Sequence, residues 1–267
     1  MMNLLFVLAG FITGFLVGLT GIGGGALMTP MLMFLFGIAP RTAVGTDLWF
    51  ASFTKIAATK VFLEGGLIEW DIVFKLWIGS LTASAIVLLW LHSSSVPGHE
   101  DTLFLKQIIA AAVLWAGIML FFQPILQYIT RYFIDASGPL VDIDGPWGWI
   151  LTIASGAVLG ALVTLTSVGA GALGTAVLLY LYPVRLSPRR LIATEIAHAI
   201  PLAIFSGMGH AGLGNVEFGL LIPLLLGSIP GSLLGAYLAA RLPQATLKTI
   251  LSITLLSFGA KLWWMPK

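Results

Sequence analysis

Two short runs rich in glycine, LTGIGGGALMT at 19–29 and LTSVGAGALGT at 165–175, interrupt long apolar stretches of the chain. A helix that restarts after such a turn leaves its first backbone N–H groups without intrahelical acceptors, and its dipole adds positive charge there. That combination binds anions. In the first run the lining residues would be Thr20, Gly21, Gly23, Gly24 and Gly25; in the second, Thr166, Ser167, Gly169, Ala170 and Gly171. The hydroxyls of Thr20, Thr166 and Ser167 would add donors. A plainer reading is close helix packing through small residues, for which Gly10, Gly14 and Gly18 have the right spacing nearby.

Ionisable residues within apolar segments are the second signal, because a charge at the centre of a membrane helix costs at least ~2.5 kcal/mol. Asp47 and Glu195 each follow a threonine, Thr46 and Thr194. Either the two acids carry protons that drive transport, or they accept hydrogen bonds that orient donors around an anion. A third reading puts them near the helix starts opened by Pro40 and Pro188, where acids favour the positive dipole end. His198 follows Glu195 by three residues, on the same helix face, and would act as a proton relay or gate or as a hydrogen-bonded structural residue. Lys55 lies deep enough to balance a bound anion, whereas Lys60 is closer to a segment end and snorkels. Thr46, Asp47, Lys55, Thr194, Glu195 and His198 thus form the expected coupling or gating set. Arg41, Arg185, Arg189 and Arg190 read as topology signals.

Enzyme chemistry ranks last. The chain has no cysteine, its four histidines (His92, His99, His198, His210) are scattered, and no metalloprotease or serine-nucleophile spacing occurs, so neither a metal nor a cofactor is expected.

The elements that must position these residues are membrane helices. With 267 residues, 58% apolar, 9% charged and a mean hydropathy of +1.02, the chain is too apolar for an ordinary soluble domain. A formal charge of +2 gives no field to attract a polyanion, so nucleic acid is excluded as a partner and a small anion and the lipid bilayer are left. The sequence does not specify an oligomeric state. The N-terminal stretch lacks the basic region of a secretory signal and reads as the first membrane helix. A span needs about 20 apolar residues; segments 3–20, 42–63, 71–91, 103–122, 147–165, 190–206, 216–240 and 247–264 reach or approach that length. Segments 26–38 and 172–182 are shorter, each follows a glycine-rich run, and both are expected to be broken or re-entrant helices. Trp147, Trp149, Trp263 and Trp264 fall at segment ends, as an interfacial aromatic belt requires.

The two glycine-rich runs align at a spacing of 146 residues with seven of eleven positions identical, more than biased composition produces. Downstream, Pro40, Arg41, Thr46 and Asp47 meet Pro188, Arg189, Thr194 and Glu195, and Gly79, Ser80 and Ser84 meet Gly227, Ser228 and Ser232. The expected organisation is a first repeat over 1–122, a polar linker over 123–146 and a second repeat over 147–267. Its fold class is an all-α polytopic bundle of about 8–10 membrane segments. Five crossings per half would invert the second repeat relative to the first, and an even number would leave the halves parallel. With the N-terminus outside, seven basic residues (Lys75, Arg131, Arg185, Arg189, Arg190, Arg241, Lys248) would face the cytoplasm and four (Arg41, Lys106, Lys261, Lys267) the exterior, which favours inversion.

The stretches GLTGIGGGALMTPML, PRTAVGTDL, GAGALGT and PRRLIATE together resemble the TauE/SafE sulfite exporter family over nearly the whole chain. The resemblance implies a permease of the bacterial inner membrane for sulfite or another oxidised-sulfur anion such as an organosulfonate. A passive anion channel using the same backbone donors is the alternative. Two features depart from symmetry: Ala170 stands where the first run has glycine, and His198 has no histidine counterpart near Ala51.

Overall fold

In hydrocarbon a backbone must satisfy its own N–H and C=O groups, so long apolar runs become helices. The computed structural model describes residues 2–20, 25–62, 66–93, 99–137, 145–169, 171–239 and 244–264. Among the described residues there are ten helices and no strand: α1 (Met2–Thr20), α2 (Gly25–Phe36), α3 (Pro40–Phe62), α4 (Trp70–Ser93), α5 (His99–Ser137), α6 (Pro146–Thr166), α7 (Ala172–Leu181), α8 (Pro188–Gly212), α9 (Phe218–Ala239) and α10 (Gln244–Trp264). The expected all-α polytopic fold is the observed one. Five segments, within α4, α5, α6, α8 and α9, are long and apolar enough to cross a membrane. Helix α3 carries Arg41, Asp47, Lys55 and Lys60 and falls outside that set. Protein takes the place of lipid around its acid and first lysine, since Asp47 is 0% and Lys55 2% exposed. Helix α5 runs on through Ser137, into the stretch expected as linker, and 138–144 lies outside the described residues.

The outer surface is apolar. Leu8, Ile12, Phe74, Ile78, Leu89 and Leu226 are exposed, a surface that suits acyl chains and not water. Trp147, Trp149, Trp263 and Trp264 are exposed at the starts of α6 and the end of α10, as the aromatic belt requires.

Small residues set the interior. On α1, Gly10, Gly14 and Gly18 lie against Leu224, Ser228 and Ser232 of α9, so the two helices run parallel in close contact. A Cβ built on Gly10 would stand 2.1 Å from the Leu224 carbonyl oxygen, closer than any real contact. The second half repeats the pattern: Gly156 and Gly160 of α6 lie against Leu76 and Ser80 of α4, again parallel. At the centre α3 and α8 run antiparallel, with Gly45 near His210, Trp49 donating to Gly207 O at 3.0 Å and Lys55 meeting Glu195. Hydroxyls join the layers: Thr54 to Ser228 at 2.9 Å, and Thr164, Ser84 and Ser206 in a triangle of 2.8, 2.9 and 3.0 Å. Buried polar side chains that find each other in this way need no water.

Candidate functional site

Both expected breaks are present. Helix α1 ends at Thr20 and α2 starts at Gly25; α6 ends at Thr166 and α7 starts at Ala172. At 1.5 Å per residue, α2 is about 18 Å and α7 about 15 Å long, roughly half of a ~30 Å hydrocarbon core. Each folds back along the helix before it. Phe6 near the start of α1 packs against Phe36 at the end of α2, ring centroids 4.6 Å apart with planes tilted by 43°, and the equivalent Thr152 and Tyr182 share a 2.6 Å hydrogen bond. Gly21, Gly23, Gly24 and Ala170 lie outside the described residues.

The second break is built from strained backbone. Ser167 is left-handed at φ 57°, the one described non-glycine residue with positive φ, and Gly169 sits at φ 128°, where a side chain would be strained. Gly169 O accepts from the amides of Gly171 (2.7 Å) and Gly174 (2.9 Å), so two amides at the start of α7 turn back into the break. The threonines that close the preceding helices behave alike: Thr20 donates to Leu16 O at 2.8 Å and Thr166 to Leu162 O at 2.6 Å. Each hydroxyl thus donates back to its own helix in this conformation, and Thr166 Oγ1 also accepts from the Val168 amide in the break at 3.0 Å.

The acids pack against the short helices. Asp47 Oδ2 accepts from both the amide (3.0 Å) and the hydroxyl (2.5 Å) of Thr29, in the second turn of α2. Asp47 Oδ1 has no hydrogen-bond partner among the described residues, nor has Ser167 Oγ, which is close enough to act on the same carboxylate. A residue of the second break thus faces the acid that belongs to the first. Glu195 borders α7: a Cβ on Gly174 would stand 3.5 Å from its Oε1. Its carboxylate receives Lys55 Nζ at 3.1 and 3.4 Å, and the two side chains are 3% and 1% exposed.

Of the other expected residues, His198 does not turn to Glu195; its Nε2 pairs with Ser80 Oγ at 3.0 Å. Thr46 and Thr194 serve as anchors in matching places. Thr46 Oγ1 accepts from the Glu217 amide just before α9, at 3.0 Å, and Thr194 Oγ1 from the Glu69 amide just before α4, at 3.1 Å. Arg185 and Arg190 reach Glu69, and Arg185 also Asp71, at the end of the bundle where α8 begins. Facing carboxylates outweigh partial burial and hold the Arg185 guanidinium above its already high ordinary pKa.

Residue-by-residue reading of the chain left out Thr29 and Ser80 as site residues. The signal for Thr29 was its identity with Thr175 in the repeated run, and for Ser80 its match with Ser228.

Compared with known proteins, residues 6–262 match the family model described as Sulfite exporter TauE/SafE. The chain is similar to a probable membrane transporter protein YjnA of Bacillus subtilis, 34% identical over 98% of this chain and 100% of the relative. It is also 28% identical to the probable membrane transporter protein YdhB of the same organism, over 94% and 96% of the two chains. A probable membrane transporter protein of Methanocaldococcus jannaschii, MJ0441, is 28% identical over 80% of this chain and 73% of its own length. No solved structure matches the chain.

Proposed function

For a chain that belongs to the TauE/SafE sulfite exporter family and is a multi-pass membrane transporter, we propose that the cargo is a small oxidised-sulfur anion, sulfite or an organosulfonate, and that protons move with it. Two broken helices of inverted repeats hold the anion near mid-membrane. The observation that carries this reading is the meeting of Asp47 of α3, packed against α2 through Thr29, with Ser167 of the break before α7, both buried and each with an oxygen left over. Half-helix starts that converge from two halves bring amide donors and positive dipole ends to one place.

Inversion is supported by the direction of the helices. The parallel contacts of α1 with α9 and of α6 with α4, together with the antiparallel crossing of α3 and α8, fit a second half turned over relative to the first. Matching turns at Gly66 and Gly214, with φ of 70° and 73°, fit the same repeat.

Purified protein in proteoliposomes, loaded with sulfite, thiosulfate, sulfoacetate, taurine or sulfate, tests the proposal. Flux of a sulfur anion that rises with an imposed proton gradient is expected. Flux of none of them defeats the cargo reading; flux indifferent to the gradient selects a passive channel.

A further inference from the structure

Among the described residues, the Lys55–Glu195 pair is the ion pair buried between the central helices, one partner from each half of the chain. Glu195 lies beside Gly174 in the first turn of α7, where an anion held by that helix start would also lie. Its carboxylate therefore acts as a built-in anion. Removing it would strip a buried lysine of this counter-charge, which is strongly unfavourable unless another anion takes the position. A second anion cannot enter beside an ionised Glu195, because like charges at this separation repel.

We propose that Lys55 is the counter-charge of the transported anion and that Glu195 is its internal competitor, which takes up a proton as the anion replaces it. The exchange balances. The resting pair, an ammonium and a carboxylate, is neutral; it gains one proton on the Glu195 carboxylate and one monovalent anion on Lys55, hydrogensulfite where the cargo is sulfite, and the loaded site is neutral again. No net charge crosses with the site, and anion and proton travel in the same direction, set by their combined gradients. The surrounding groups leave the exchange to these two residues. Lys55 is the charged group that acts on Glu195 among the described residues. His198, one turn further along α8, is near enough to feel Lys55 and is held by Ser80. Asp47, the acid of α3, is held by Thr29 of α2.

This inference rests on the proposed transport of sulfur anions, and the test separates the two. Sulfite flux into proteoliposomes is measured under imposed pH gradients and, separately, under potassium diffusion potentials; sulfite binding is followed by tryptophan fluorescence across pH. In the unaltered protein, flux is expected to follow the pH gradient and to ignore the potential. Glu195→Gln should remove the gradient dependence and lower half-saturating sulfite roughly tenfold near neutral pH, where hydrogensulfite is still present, as expected when a charged competitor is lost. Lys55→Gln should raise it roughly tenfold or more. The double variant Lys55→Gln/Glu195→Gln keeps a neutral, hydrogen-bonded pair, and should fold and bind sulfite as weakly as Lys55→Gln. If the unaltered protein carries sulfite but Glu195→Gln keeps gradient-driven flux, or the double variant binds normally, the exchange is wrong and the transporter reading stands. Absence of sulfur-anion flux in the unaltered protein overturns both.

Discussion

Asp47 is bound on one side and open on the other, and this asymmetry gives the site its first testable property. Its Oδ2 holds Thr29 through amide and hydroxyl, while Oδ1 and the nearby Ser167 Oγ remain without hydrogen-bond partners among the described residues. Thr29→Val should therefore strip a hydrogen bond from a buried carboxyl group and cost about 1–3 kcal/mol, read as a lower unfolding temperature in detergent, with Thr29→Ser restoring it. Ser167→Ala removes a hydroxyl that only approaches the same carboxylate and makes no hydrogen bond of its own here, so it should cost less stability than Thr29→Val while transport slows. Equal stability losses in the two variants would show that the Ser167 hydroxyl belongs to the resting structure and not to the transport site. At this scale the sequence was partly legible. Asp47, Lys55 and Glu195 announce themselves because a charge among apolar residues must find a partner. Which partner it finds depends on tertiary packing: Lys55 and Glu195 are 140 positions apart, and His198 could reach Glu195 by helix spacing yet pairs with Ser80 on another helix. Thr29 stayed hidden because a hydroxyl on an apolar helix usually bonds its own backbone, as Thr20 and Thr166 do.

Helix by helix, the structure turns on two kinds of glycine. Those of α4 and α6 exist for close approach: a Cβ on Gly79 would stand 1.9 Å from Ile153 O and one on Gly160 2.1 Å from Ser80 O. Gly79→Leu must drive the helices apart, at a cost of about 1–3 kcal/mol or more, and folded protein recovered in detergent should fall sharply. Gly169 exists for its backbone. At φ 128° it shapes the break, and the nearest atom a Cβ would meet is Val163 Cγ2 at 3.3 Å, the end of a side chain. Gly169→Val should thus leave the bundle folded and abolish flux, because a β-branched residue cannot hold that conformation. Wild-type flux in folded Gly169→Val would dismiss the shaped break as part of the site. The sequence showed the breaks plainly, since glycine clusters inside apolar runs have few other uses. It could not show that Gly169 O would take up two amides of the next helix, a detail of backbone geometry that many sequences of small residues share.

On the scale of the whole molecule the repeat makes a prediction about sides. Ala39 precedes α3 and Ser187 precedes α8; they are 148 positions apart, equivalent under the repeat, and both exposed. The loop of Ser187 lies with Arg185, Glu69 and Asp71 at one end of the bundle, whereas α3 begins at the other end, where Gly45 approaches Asn215. Parallel repeats would place the two equivalent loops on the same membrane face, and inverted repeats place them on opposite faces. The chain contains no cysteine, so Ala39→Cys and Ser187→Cys each create a single reactive thiol without any background to remove. In intact cells a membrane-impermeant maleimide should label Ala39→Cys and spare Ser187→Cys, which becomes reactive once the membrane is opened, because Arg185, Arg189 and Arg190 favour the cytoplasmic side. Labelling of both from outside would reject inversion. It would also remove the reason for two half-helix starts to converge on one anion, since parallel halves aim their broken helices in the same direction.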